Sequence, residues 1–165
     1  MRAILLTLVS SALLGSCAGE PSFSDEIALE TRGVLERPDG LEIFALHPYP
    51  HMPEGAAEDG ADFHGYRILG STEVDDAAQR KVLIDLVAIG VDESDGTVAA
   101  CFDPRHGLRV RQGDEVVDLV ICFACLSMHL HGPGELQDSV TIDDSPEPAM
   151  TQQFESLGLD VHDSD

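Results

Sequence analysis

Short apolar runs alternate with polar breaks along most of this chain, and their spacing predicts its elements. Leu41-Glu42-Ile43-Phe44-Ala45-Leu46 alternates as a strand does, and His47-Pro48-Tyr49-Pro50 is expected to stop it. His51 to Asp62 reads as loop, and Tyr66 to Leu69 with Ser71 to Val74 as a second, weaker strand. Asp76 is a helix N-cap with Gln79 three residues on. Val82, Leu83, Leu86 and Val87 follow at helical spacing, giving a helix over 77–90 that ends at Gly90 or in the turn Asp92 to Gly96. Val98 to Phe102 and Leu108 to Val110 read as one interrupted strand. Gln112-Gly113-Asp114 reads as a turn, and Val116 to Leu126 as a nearly continuous apolar strand central in a sheet. Ser139 to Ile142 adds a strand. Ser145 and Pro146-Glu147-Pro148 start a last helix, with Met150, Phe154 and Leu157 on one face and Gly158 closing it. This order predicts an α+β fold over residues 27–161, a mostly antiparallel sheet with one or two helices packed on it. Residues 162–165 are left as a tail.

The N-terminus has a different pattern. Arg2 precedes an uncharged apolar stretch from Ile4 to Leu14 and then Gly15-Ser16-Cys17, the parts of an export signal spanning 1–16. The stretch is shorter than the roughly 20 apolar residues that cross a bilayer. Leu14-Gly15-Ser16-Cys17 resembles the lipobox of bacterial lipoproteins. That resemblance implies a diacylglycerol on the Cys17 sulfur, cleavage before it and acylation of the new amino terminus. Two or three acyl chains hold a protein stably on a bilayer, at about 0.8 kcal/mol per buried methylene. Residues 17–26 then form the lipidated cysteine and a short flexible tether, reaching on the order of 15–18 Å. The same resemblance implies, from Ala18 rather than Asp after the cysteine, the outer membrane rather than the inner.

Charge narrows the partners. The formal net charge of −22 becomes −23 once Arg2 is removed. A globally acidic surface repels polyanions, so nucleic acid is not expected as a partner. The expected partners are the lipid bilayer, through acylated Cys17, and an envelope component whose identity the sequence leaves open. No cofactor is expected, with a metal ion as the alternative.

Chemistry concentrates in three further cysteines, Cys101, Cys122 and Cys125. Residues three apart on one strand point to opposite faces, so Cys122 and Cys125 are not expected to meet without a turn, and no Gly or Pro supplies one. Hairpin register offers another pairing. If the chain turns about Gly113, Val110 faces Val116, Leu108 faces Asp118 and Cys101 faces Cys125. A bulge at Pro104-Arg105-His106-Gly107 would slide Cys101 toward Cys122 instead. The expectation is a disulfide from Cys101 to Cys125 or Cys122, with the remaining thiol buried and inert.

Longer strings around this hairpin resemble an uncharacterised family of small bacterial proteins, many with export or lipoprotein signals. The matching residues are Phe63-His64-Gly65-Tyr66 with Leu69-Gly70, the run Ala100 to Arg109, the run Asp118 to Leu126, and the start Ser145-Pro146-Glu147-Pro148. The resemblance spans about 41–159, and Cys101-Phe102-Asp103-Pro104-Arg105-His106-Gly107 is its most specific part. It implies one fold with a central hairpin and no particular activity. The acidic surface, His129 and His131 depart from the family pattern.

Other candidates come from the same region. Cys101, His106, Cys122 and Cys125 make a nominal three-cysteine, one-histidine metal set. Arg105 and His106 on a bulge would suit an anionic ligand. Cys125, Ser127, His129 and His131 share one strand face by parity, and two histidines two apart can chelate a metal, although a polar strand end explains them as well. Asp92-Glu93-Ser94-Asp95-Gly96 lacks the carboxylate spacing of a calcium-binding EF-hand. Nothing matches a nucleophile elbow, a metalloprotease helix or a phosphate loop, so no catalytic residue is assigned. The expected function is a membrane-tethered, non-catalytic binding or structural domain of the cell envelope. The alternative is a thiol- or metal-dependent envelope protein using the cysteine hairpin.

Overall fold

The computed structural model describes residues 23, 27–50, 62–132 and 137–161. The predicted signal, Cys17, residues 51–61 of the predicted loop and residues 162–165 of the predicted tail lie outside the described residues. The fold is mixed α+β, with an entirely antiparallel seven-stranded sheet. In chain order the elements are α1 (Leu29–Glu36), β1 (Gly40–Pro50), β2 (Asp62–Phe63), β3 (Tyr66–Glu73), α2 (Ala77–Asp92), β4 (His106–Gln112), β5 (Glu115–Cys122), β6 (Ser127–His131), β7 (Gln137–Thr141) and α3 (Glu147–Ser156). The strands lie in the order β2-β3-β1-β4-β5-β6-β7. Among the described residues, no helix is long and apolar enough to cross a membrane.

Two-residue alternation explains how the sheet acquires two unlike faces. Leu41 and Ile43 from β1, Leu108 and Val110 from β4, Leu119 and Ile121 from β5, and Met128 and Leu130 from β6 form the main core with the helices. The intervening residues Phe44, Leu46 and Val120, with Phe63, make a second and smaller core. The sheet curls around this second face, so His64 at the β2–β3 tip reaches Asp118 of β5 and His131 of β6. Phe23 and Ile27 are buried in the main core, so Phe23, expected within the flexible tether, is an anchored side chain.

The helix ends follow the expected chemistry. The Asp76 carboxylate accepts the Gln79 amide at 2.8 Å, capping α2. At the end of α3, Gly158 takes φ +82°, its amide donates to Glu155 and the Leu159 amide donates to Phe154. That bonding pattern satisfies the last carbonyls of α3 as a Schellman motif.

Several expectations need correction. β1 runs through His47-Pro48-Tyr49-Pro50 rather than stopping there. Its pairing with β4 ends at Ala45 opposite His106, so the prolines beyond cost that side no ladder hydrogen bond. The β4–β5 hairpin turns on two residues, Gly113 and Asp114, with Gln112 opposite Glu115 and Arg109 opposite Asp118. The register is therefore one residue off a turn centred on Gly113. β4 begins at His106, so residues 97–105 form an irregular loop rather than a strand with a bulge. The apolar run 116–126 is not one strand, because β5 ends at Cys122 and a 3-10 turn over Phe123–Cys125 leads into β6.

Candidate functional site

The 3-10 turn brings the three cysteines together. β5 delivers Cys122 in extended conformation, the chain winds through Phe123–Cys125, and Leu126 takes the left-handed region at φ 54° before β6 begins. A left-handed non-glycine residue costs on the order of 1–2 kcal/mol, so its surroundings must hold it. They do: the Leu126 amide donates to Phe123 and its carbonyl accepts from Ile142. Phe123 anchors the turn by burying its ring in the main core.

This geometry corrects the expected disulfide. Cys122 is bonded to Cys125, their α-carbons 5.2 Å apart, and Cys101 carries the free thiol. Strand alternation would have kept the pair apart, but the strand ends between them and the tight turn restores their approach. Cys101 Sγ lies 3.1 Å from the Sγ of Cys125, one of its two expected partners, without being bonded to it. The thiol left over is neither Cys122 nor Cys125, and it is not buried: Cys101 is exposed, while Cys122 and Cys125 are 1% and 0% exposed.

Loop 97–105 holds Cys101 there through contacts on both sides of it. The Ala99 amide donates to the Cys125 carbonyl at 3.0 Å. The Asp103 amide donates to Cys125 Sγ at 3.3 Å. Tyr66 Oη donates to the Phe102 carbonyl at 3.4 Å, and the Phe102 ring stacks on His129 with centroids 3.8 Å apart. The Leu46 amide donates to the Arg105 carbonyl where the loop enters β4.

The remaining candidates do not join this cluster. His106 is not on a ligand-facing bulge. It opens β4 with its ring edge-on to Phe123 and Phe154 and its Nε2 3.2 Å from Thr151 Oγ1. Burial, assisted by the nearby Arg105 charge, pushes its pKa down to about 3, so it is a neutral core residue at physiological pH. Packed against Phe123 and Phe154, with Nε2 on Thr151, the ring joins no metal-ligand group with the cysteines, and a neutral imidazole adds no positive charge to an anion site with Arg105. Arg105 is half-buried, and its charge opposes the upward pKa shift that burial imposes on Glu147 of α3.

His129 and His131 lie on the curled face, each stacked on a different ring. His129 stacks on Phe102, and His131 stacks on His64 with centroids 3.7 Å apart. Burial lowers the pKa of both, and for His131 the neighbouring His64 and His129 lower it further. Beside them Asp118, 6% exposed, accepts two hydrogen bonds from Arg109 at 2.8 and 2.7 Å and one from His64 Nε2 at 2.8 Å. Arg109 also lies 5.7 and 5.4 Å from the ring centroids of Phe44 and Phe63. Sequence reasoning missed this cluster, whose one signal was a charged Asp118 inside an apolar strand. Among the described residues, no group of three or more His, Cys, Asp or Glu is arranged to hold a metal ion.

A cavity of about 480 Å³ opens elsewhere, between α1 and α2, lined by Phe23, Leu35, Arg37, Arg80 and Ile84 among others. It shares no residue with the sulfur cluster. No family model, curated protein or solved structure matches the chain.

Proposed function

We propose that the chain is an exported protein of the bacterial cell envelope, held on a membrane by acylated Cys17, whose working part is a thiol–disulfide exchange centre at Cys101, Cys122 and Cys125. The outer membrane is the proposed site, on the residue after Cys17. One observation carries the chemistry: an exposed thiol rests 3.1 Å from one sulfur of a buried disulfide. Exchange begins with attack of a thiolate on a disulfide sulfur, so access and proximity govern its rate. Here the bond is screened from bulk solvent, and a neighbour that solvent reaches stands beside it. Disulfides persist in exported proteins, which fits the lipobox-like start. The contact therefore favours the thiol-dependent alternative over a non-catalytic domain.

The test is to purify the full protein from its own membranes and to measure lipid and thiol state together by mass spectrometry. A diacylglyceryl Cys17 and one free thiol per chain are expected. The folded protein is then equilibrated across a series of reduced-to-oxidised glutathione ratios and quenched with acid. Glutathionylated Cys101, and two further thiols at the reducing end, are the expected products. A chain with Cys101 unmodified and the disulfide intact at every ratio would overturn the exchange centre. It would return the domain to a binding or structural role, for which the stacked imidazoles of the curled face offer a surface.

A further inference from the structure

Resting on that exchange reading, we infer that Cys125 is a shared sulfur and that the centre interconverts between two disulfide isomers, with Cys101 as its outlet. In one isomer Cys122 is bonded to Cys125 and Cys101 is an exposed thiol. In the other Cys101 is bonded to Cys125 and Cys122 is a buried thiol.

The step balances within the chain. The Cys101 thiolate attacks Cys125 Sγ, an S–S bond forms between them, and the bond from Cys125 to Cys122 breaks. The electron pair leaves on Cys122 Sγ, which takes up the proton that Cys101 released. Nothing is oxidised or reduced overall, so no outside reagent is required. Cys125 is the sulfur attacked because Cys101 contacts it at 3.1 Å.

Burial then assigns each sulfur a place. Cys125 is 0% and Cys122 1% exposed, so a folded partner cannot reach either one directly. Cys101 is exposed, and only the second isomer puts a disulfide bond onto an exposed sulfur. A partner protein carrying a dithiol would attack Cys101 Sγ in that isomer, forming a mixed disulfide and expelling Cys125 as thiolate. The Asp103 amide already donates to that sulfur at 3.3 Å, and a hydrogen bond to an anion is stronger than one to a neutral sulfur. The partner's second thiolate then attacks its own sulfur in the mixed disulfide and frees Cys101. The partner departs with a new disulfide, and Cys122 and Cys125 remain as thiols. The substrate class is thus a protein dithiol, or in reverse a protein disulfide, presented to Cys101.

Tryptic mapping reads the isomers directly. Cys101 falls in the peptide 82–105 and both other cysteines fall in 112–165, because Lys81, Arg105 and Arg111 bound them and nothing beyond Arg111 is cleavable. A bond between Cys122 and Cys125 is internal to one peptide, whereas a bond from Cys101 cross-links two. The unreduced protein is held at neutral pH, quenched in acid, denatured and alkylated. The label should divide between Cys101 and Cys122, with Cys122 carrying about 0.1–10% as a minor state and matched by cross-linked peptide. The Cys122→Ser variant, once oxidised, should be cross-linked through Cys101 and Cys125 in nearly every chain. Wild type with no Cys122 label, together with a natively folded Cys122→Ser that keeps two free thiols under oxidised glutathione, would overturn the shared-sulfur inference. If that variant does not fold, the label on wild type decides alone. Glutathionylation of wild-type Cys101 without isomers would overturn this inference while leaving the exchange reading standing.

Discussion

His106 makes the stability of the domain depend on pH in a calculable way. Its ring is fully buried between Phe123 and Phe154, and its pKa falls from the ordinary 6.5 to about 3. An unfolded chain binds a proton at this residue below about pH 6.5, and the folded chain does not until about pH 3. The favourable contribution is therefore complete above pH 6.5 and is lost progressively as pH falls from 6.5 to 3. At pH 5 the linkage amounts to RT times the logarithm of about 32, or about 2 kcal/mol. His129 and His131 are shifted in the same direction, so the wild-type curve alone does not isolate His106. The comparison is with His106→Gln, which keeps an amide able to bond Thr151 but has no proton to gain. Urea unfolding is followed by far-UV circular dichroism with the disulfide intact, since the chain contains no tryptophan. Between pH 7.5 and 5 wild type should lose about 2 kcal/mol more than His106→Gln, a thirtyfold change in the unfolding constant. Parallel curves for the two proteins would refute the neutral, buried imidazole.

Other substitutions probe the two faces of the sheet. A Cβ at Gly107 would lie 3.0 Å from the Phe63 ring and 3.2 Å from Leu46, so Gly107→Ala should cost about 1–3 kcal/mol in urea unfolding. Asp118→Ala removes the carboxylate that both Arg109 and His64 bond, and should cost about 1–3 kcal/mol, little of it recovered in 1 M salt. Asp76→Ala removes the cap on α2 and should cost about 1 kcal/mol without altering the thiol count. Phe123→Ala should cost about 3–5 kcal/mol and let dithiothreitol reduce the disulfide as fast in a Cys101→Ser background as with Cys101 present.

The sequence was legible wherever local pattern and local chemistry agreed. α2 has its cap and its apolar face in one continuous window, and Gly158 at the end of α3 needs only the positive φ that glycine provides. α1 was missed because Leu29-Glu30-Thr31-Arg32-Gly33-Val34-Leu35-Glu36 has no side-chain cap and a glycine in its middle. Its helical state comes from burying Val34 and Leu35 against the rest of the core. Residues 98–102 carry a strand-like composition, yet the chain there serves as a loop across the β5–β6 turn. Composition predicts that a segment will be covered and does not say by which neighbour. The sulfur turn was illegible for a sharper reason: its left-handed position is occupied by Leu126, and propensity places glycine or asparagine there.

That same residue links the fold to the chemistry. Had β5 continued through Cys125 as a strand, Cys122 and Cys125 would face opposite sides of the sheet and no disulfide could join them. A glycine at 126 would allow the turn but would also allow many others, because glycine fixes no single backbone state. Leucine held in the left-handed region implies that the surrounding contacts outweigh its conformational cost. Those contacts are the Phe123 ring, which lies within the turn and is buried in the main core, and the bond from Ile142, which follows β7. The turn is thus positioned from the helix-covered side, while loop 97–105 is positioned from the curled side by Tyr66 and His129. Cys101 and Cys125 meet where these two supports converge. The approach of the thiol to the buried sulfur is therefore a property of the whole sheet rather than of the short segments that carry the cysteines.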